Sequence, residues 1–191
     1  MPTVTPCFTP GTRIATADGW QAVENLRRGD RVVTRDNGLR RIVWMGRRVV
    51  RYDELKDEPA LRPVLVRQGA FGHGTPERDM LVSPKHRFLV APQDEHGEEM
   101  LCAAGALTFL PGVSFSPVLG VSYLHLLLEA HEVLLAEGVW TESFHPDDIT
   151  LDAMHRETRA EILALFPEIE TLGAARRFPA ARLFKQSRFE R

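Results

Sequence analysis

Cys7 stands in the run Cys7-Phe8-Thr9-Pro10-Gly11-Thr12-Arg13-Ile14-Ala15-Thr16, and two later histidines, His86 and His131, each sit in an apolar stretch. Cysteine is the side chain best suited to an acyl shift, because it is intrinsically nucleophilic and leaves readily. A thiol at this position, acting on its own chain, has the Pro6–Cys7 peptide bond as its nearest target. An N-to-S shift there requires the amide to be held in an activated geometry and its leaving nitrogen to gain a proton. Histidine supplies that proton near neutral pH as a general acid. In Ser83-Pro84-Lys85-His86 the spacing predicts a turn entering a strand, with both side chains facing one point. The hydroxyl of Ser83 is then available to the scissile unit or to the developing oxyanion.

The elements that must carry these groups are short strands. Leu81-Val-Ser-Pro-Lys-His86-Arg-Phe-Leu-Val-Ala91 can be laid over Leu126-Leu-Leu-Glu-Ala-His131-Glu-Val-Leu-Leu-Ala136, 45 residues further on. Each is an apolar pair, a short break, a histidine, one charged residue and then apolar or small residues. Either two independent buried strands carry histidine, or a duplicated β unit brings both histidines to a common centre. Asp18-Gly19 and Asn37-Gly38 read as type I′ hairpin turns, the second joining strands at 31–34 and 41–44. Residues 52–62 read as a charged loop or a single helical turn, 71–76 as a flexible connection and 93–99 as a polar turn. From Asp147 to Phe166 the apolar spacing predicts one amphipathic helix stopped by Pro167, with a short second helix near 168–172. The basic and aromatic last dozen residues read as a frayed tail on this helical cap rather than a nucleic-acid site.

Composition narrows the class. The 191 residues are 43% hydrophobic and 26% charged with a net charge of −2, a globular balance that gives no bulk signal for nucleic acid. No apolar run is long enough to span a bilayer, and the first residues lack the basic and apolar regions of a cleaved secretory signal. The compartment is left open. Cys7 and Cys102 read as free thiols, Cys102 as a buried small hydrophobe. His125 reads as a structural residue on a strand with Tyr123 and Leu127. His73, His96 and His145 read as solvated, Trp20, Trp44 and Trp140 as core, and His155 is assigned no partner.

The opening Cys7-Phe-x-x-Gly-Thr-x-Ile-x-Thr, continued by Asp18-Gly19-Trp20, Val23-Glu24-Asn25-Leu26 and Gly29-Asp30-Arg31-Val32-Val33, resembles the first block of hedgehog/intein (Hint) domains. Leu81-Val-Ser-Pro-Lys-His86 is similar to their Thr-x-x-His block, with Ser83 in place of threonine. The stretch from Tyr123 through His131 and Gly138 to Phe144 is similar to their C-terminal block, and the bacterial standalone branch fits better than true inteins. The resemblance implies an all-β, horseshoe-like fold with internal pseudo-twofold symmetry over residues 7–146. Residues 1–6 precede it and a short helical extension, 147–191, follows.

It also implies roles. Cys7 would be the acyl-shift nucleophile, His86 the proton donor to the Pro6–Cys7 nitrogen, and Ser83 the group that orients or polarises that bond. His131 would be an auxiliary acid or base near the thioester. Glu142 lies near the place of the inteins' penultimate histidine. No His-Asn pair follows Gly138, so full splicing is not expected. What is expected is the hedgehog-like half reaction: a thioester at Cys7, then release by water or an external nucleophile. That is single-turnover self-cleavage at most, with the chain's own N-terminal segment as substrate, an unidentified acceptor and no cofactor. Cleavage would free only Met1 to Pro6, which favours the alternative of a non-catalytic Hint-fold scaffold or interaction module. A trans-acting cysteine peptidase lacks its local signature around Cys7. A zinc site from Cys7, His86, His125 and His131 has ligand types that suit the ion but no structural zinc spacing.

Overall fold

The computed structural model describes residues 5–90, 97–152 and 154–185. Two hairpins open the chain, β1 (Arg13–Thr16) with β2 (Gly19–Ala22), and β3 (Arg31–Thr34) with the long β4 (Gly38–Arg51). A one-and-a-half-turn helix α1 (Tyr52–Asp57) leads to β5 (Val64–Val66), β6 (Met80–Val82), β7 (Arg87–Val90), β8 (Met100–Ala103) and β9 (Val113–Phe115). The C-terminal half holds β10 (Gly120–Leu128), β11 (Val133–Ala136) and β12 (Val139–Glu142). Helices α2 (Asp148–Asp152), α3 (Arg156–Leu165), α4 (Ile169–Leu172) and α5 (Ala174–Arg177) and the strand β13 (Leu183–Lys185) follow.

The all-β expectation holds. One curled sheet runs β10-β4-β3-β1-β11-β12-β7-β8-β13, with β2 on the side of β1, and a smaller sheet runs β6-β5-β9. The two histidine stretches share a local order: β6, a break, His86 and β7 in one, then β10, a break, His131 and β11 in the other. Among the described residues no helix is long and apolar enough to cross a membrane, which says nothing of strands.

β10 explains much of the packing. Residues 123–128 are all buried, because the strand is covered on both faces and so reads as an unbroken apolar run. Leu124, Leu126 and Leu128 join the main core with Phe8, Ile14, Val32, Phe88 and Leu134. Leu127, on the other face, joins Trp44, Phe144 and the apolar side of the helical extension, Leu151, Ile162, Phe166, Ile169 and Phe178. Cys7, Val50, Leu55, Leu61 and Tyr123 form a third cluster beneath α1.

Several local expectations need correction. Neither hairpin is type I′: Gly19 and Gly38 have positive φ, but Asp18 and Asn37 do not. The pairs Thr16↔Gly19 and Thr34↔Gly38 put both glycines at the first strand position after the turn, where the left-handed conformation is still needed. Asn37 instead donates to both carboxylate oxygens of Glu132 at 3.0 and 2.9 Å. Residues 71–76 form an ordered turn with Phe71 edge-on to Phe88 at 5.0 Å. The single helix expected over 147–166 is broken: α2 ends at Asp152, and His155 is extended at ψ 143° ahead of α3. The expected frayed tail includes β13, which pairs in parallel with β8 at Leu183↔Met100 and Lys185↔Cys102; residues 186–191 lie outside the described residues. His145 is buried, not solvated, and Trp20 is 39% exposed. His96 lies outside the described residues.

Candidate active site

Phe8 fixes the position of Cys7. It forms antiparallel bridges to Val82 at the end of β6 and to Leu124 in β10. Its N–H and C=O both bond Leu124 at 2.9 Å, and Thr9 Oγ1 donates to the Leu81 carbonyl at 2.8 Å. The Phe8 side chain is 1% exposed, and burying a ring this size contributes about 1.5–3 kcal/mol toward holding the strand in place. In antiparallel register one step back from Phe8 is one step forward on its partners. Cys7 therefore lies opposite Ser83 on one side and His125 on the other.

The hydrogen bonds follow from that register. Cys7 N–H donates to Ser83 Oγ at 2.9 Å, Ser83 Oγ–H donates to the Thr5 carbonyl at 2.7 Å, and Ser83 N–H donates to the Cys7 carbonyl at 3.0 Å. His125 Nδ1 lies 3.2 Å from the Pro6 carbonyl oxygen, the acyl oxygen of the bond Cys7 would attack. A carbonyl only accepts, so this contact assigns the ring proton to Nδ1 and leaves a lone pair on Nε2. The Cys7 sulfur is 3.4 Å from Nδ1 and 3.7 Å from Nε2 of the same ring, and its S–H donates to the Thr5 carbonyl at 2.9 Å.

His86 enters from the strand behind. Its Nε2 donates to Thr141 Oγ1, which passes its own hydrogen to the Arg87 carbonyl at 2.8 Å. Its ring packs edge-on to Phe8 at 4.4 Å, and its Nδ1 is buried without a partner. Burial pushes the Cys7 thiol up to about 12, against the pull of the Thr5 and Ser83 hydrogen bonds. Burial likewise drives His86 and His125 down to about 4, against Glu142 in one case and the Pro6 carbonyl in the other. At neutral pH the site holds a protonated thiol and two neutral imidazoles.

His131 is elsewhere. Its Nδ1 accepts from Ala181 N–H at 3.1 Å, its Nε2 is 3.3 Å from Glu142 Oε2, and it stacks on His145 at 4.3 Å. Glu142 is fully buried and also accepts from the backbone and side chain of Arg87 at 2.8 and 2.9 Å. Burial alone would raise its carboxyl, but His131 and Arg87 outweigh that and hold it below the usual range. His86 and His131 thus meet consecutive residues of β12, Thr141 and Glu142, whose side chains leave opposite faces of the strand. The common centre anticipated for the two histidines does not form, because a strand separates them.

Of the four residues expected from sequence, Cys7 and Ser83 meet at one peptide bond, His86 packs against Phe8 with its Nε2 on Thr141, and His131 is set apart. The residue that sequence reasoning passed over is His125, read there as structural. Nothing in the local sequence around Thr5 or Thr141 marks either threonine. Both free cysteines are buried, and Cys102 packs in the main core. Among the described residues no cluster of three or more histidine, cysteine or acidic side chains has metal-holding geometry.

A family model described as Hint domain matches residues 6–148. No curated protein matches the chain. Among solved structures, a substituted variant of the gp41-1 intein is 13% identical, with 71% of this chain and 98% of that one covered and a TM-score of 0.46. The zinc-bound splicing domain of the Msm DnaB1 intein is 15% identical over 70% of this chain and 98% of its own, with a TM-score of 0.45. A bacterial intein-like domain from Clostridium thermocellum is 13% identical over 74% and 99%, with a TM-score of 0.45.

Proposed function

The chain belongs to the Hint domain family, an autoprocessing type of domain, and we propose that it performs an N-to-S acyl shift at Cys7 on the Pro6–Cys7 bond. The observation that carries this reading is the two-sided grip on one peptide unit. Ser83 Oγ holds the Cys7 N–H at 2.9 Å, while one histidine ring meets both the Pro6 oxygen at 3.2 Å and the Cys7 sulfur at 3.4 Å.

The step balances without a cofactor. His125 Nδ1–H polarises the Pro6 carbonyl and steadies the charge that develops on its oxygen. The Nε2 lone pair takes the thiol proton as sulfur bonds to the Pro6 carbonyl carbon. The C–N bond then breaks, and the proton returns to the Cys7 nitrogen, so thiol and amide become thioester and amine. Ser83 orients the nitrogen. His86, whose Nδ1 is buried without a partner on a ring packed against Phe8, is the residue to which this reading assigns delivery of that proton. Water or another nucleophile then releases the acyl segment. Splicing is not proposed, because the C-terminal block carries Glu142-Ser143-Phe144 and no His-Asn pair.

Intact-mass spectrometry of the full chain tests this. Loss of the segment ending at Pro6, faster with hydroxylamine and absent in Cys7→Ala, is the expected result. An unchanged mass in hydroxylamine would overturn it and leave the non-catalytic module.

A further inference from the structure

A cleft of about 840 Å³ has Thr5 and His125 in its lining. Those two residues bracket the Pro6 carbonyl, by sequence in one case and by hydrogen bond in the other. One wall is β4 and the other is the start of the helical extension, joined by a bond from Trp44 Nε1–H to Glu161 Oε2 at 2.8 Å. Cys7 itself is 2% exposed and is covered elsewhere by Val50, Leu55, Leu61 and Tyr123. A nucleophile bound in this cleft would meet the Pro6 carbonyl from the side of Thr5 and His125.

The lining carries charge of both signs. Arg47 and Arg48 project from β4, and Glu54 and Glu161 come from α1 and α3. Among the described residues Arg47 donates through its Nε to Ser122 and Arg48 meets Glu54 at 3.5 Å, which leaves donors on both guanidinium groups for a ligand. A neutral lipid entering here would strip water from four ionic groups with nothing to offer them. A small molecule bearing both an ammonium and a carboxylate matches them, with Trp44 and Met154 available to an apolar side chain.

We propose that this cleft admits a free amino acid as the acceptor, its carboxylate held by Arg48 and its amine directed at the Pro6 carbonyl. The proposal rests on the acyl shift above. The neutral amine attacks the thioester carbon, the C–S bond breaks, and the amine proton passes through His125 Nε2 to the sulfur. The products are the free Cys7 thiol and the upstream segment joined by an amide to the acceptor. The extension after residue 146 thereby acquires a role, as the second wall of the acceptor site.

Full-length chain is incubated separately with hydroxylamine, alanine and alaninamide, and the released segment is identified by mass. Alaninamide is the control because it offers the same amine without the carboxylate. The expected result is an alanine conjugate that forms with saturation and at least about tenfold faster than the alaninamide conjugate, a preference falling to about one in Arg48→Met. Cleavage by hydroxylamine without any alanine preference would overturn the acceptor proposal while leaving the acyl shift intact. Failure of hydroxylamine as well would remove both.

Discussion

His125 and Ser83 hold opposite ends of one peptide bond, so removing each should damage a different part of the reaction. His125→Phe keeps a ring of similar shape beside Trp44 and Phe144 but loses both the donor to Pro6 and the base for the thiol. Acid–base groups of this kind are typically worth about 10²–10⁴-fold. A loss of that size in spontaneous release is expected by mass spectrometry, with Ser83→Ala costing less. Equal rates in His125→Phe and wild type would exclude the ring from the chemistry. The pH profile follows from the same residue. His125 acts as a base only when neutral, and burial keeps it neutral down to about pH 4. Release should therefore hold steady from pH 7 to pH 5 and fall only near pH 4. A fall centred near 6.5, the ordinary histidine range, would mean that water reaches the ring.

The ladder between β4 and β10 decides where His125 sits, and Gly46 is its direct partner in that ladder. A Cβ at Gly46 would come within 2.1 Å of the outer carbons of the Trp44 ring, which faces His125 at 6.2 Å. Gly46→Ala must displace the indole, breaking its bond to Glu161 and loosening α3 from the sheet. A cost of about 1–3 kcal/mol is expected, read as a lower Tm with a change in tryptophan fluorescence. Neither changing would mean the indole is not seated there. This ladder also shows what was legible beforehand. Cys7 stood out by the run that follows it and Ser83 and His86 by their three-residue spacing, all local signals, as did the strand periodicity and the two glycine-bearing turns. The role of His125 depends on the pairing of Phe8 with residues 82 and 124, a long-range register that no local pattern encodes. His131 misled for the complementary reason: its stretch shares the local order of the His86 stretch, but strand alternation at Thr141 and Glu142 sends the two rings to opposite faces. β13 escaped notice because Leu183-Phe184-Lys185 is too short to announce a strand, and only the edge of β8 makes it one.

Across the whole molecule the buried imidazoles tie stability to pH. His86 and His125 titrate near 4 when folded against about 6.5 when unfolded, and His145 is lowered too, chiefly by burial and by His131 beside it. Between those values the unfolded chain binds more protons, so stability is full above pH 6.5 and is lost as pH falls toward 4. At pH 4.5 each of the first two rings should cost about 2–3 kcal/mol, roughly 5 kcal/mol together. A domain of this size has about 5–15 kcal/mol in all, so that loss brings it close to unfolding. Glu142 does not share this window: its carboxyl is held below the usual range, so its contribution disappears only at still lower pH. Urea unfolding at pH 7 and pH 4.5 should show the drop, and His125→Phe should reduce its slope by about one proton. An unfolding free energy that is flat between those pH values would mean that the rings exchange protons with solvent in the folded state, and the neutral, water-excluded site on which the acyl shift depends would go with it.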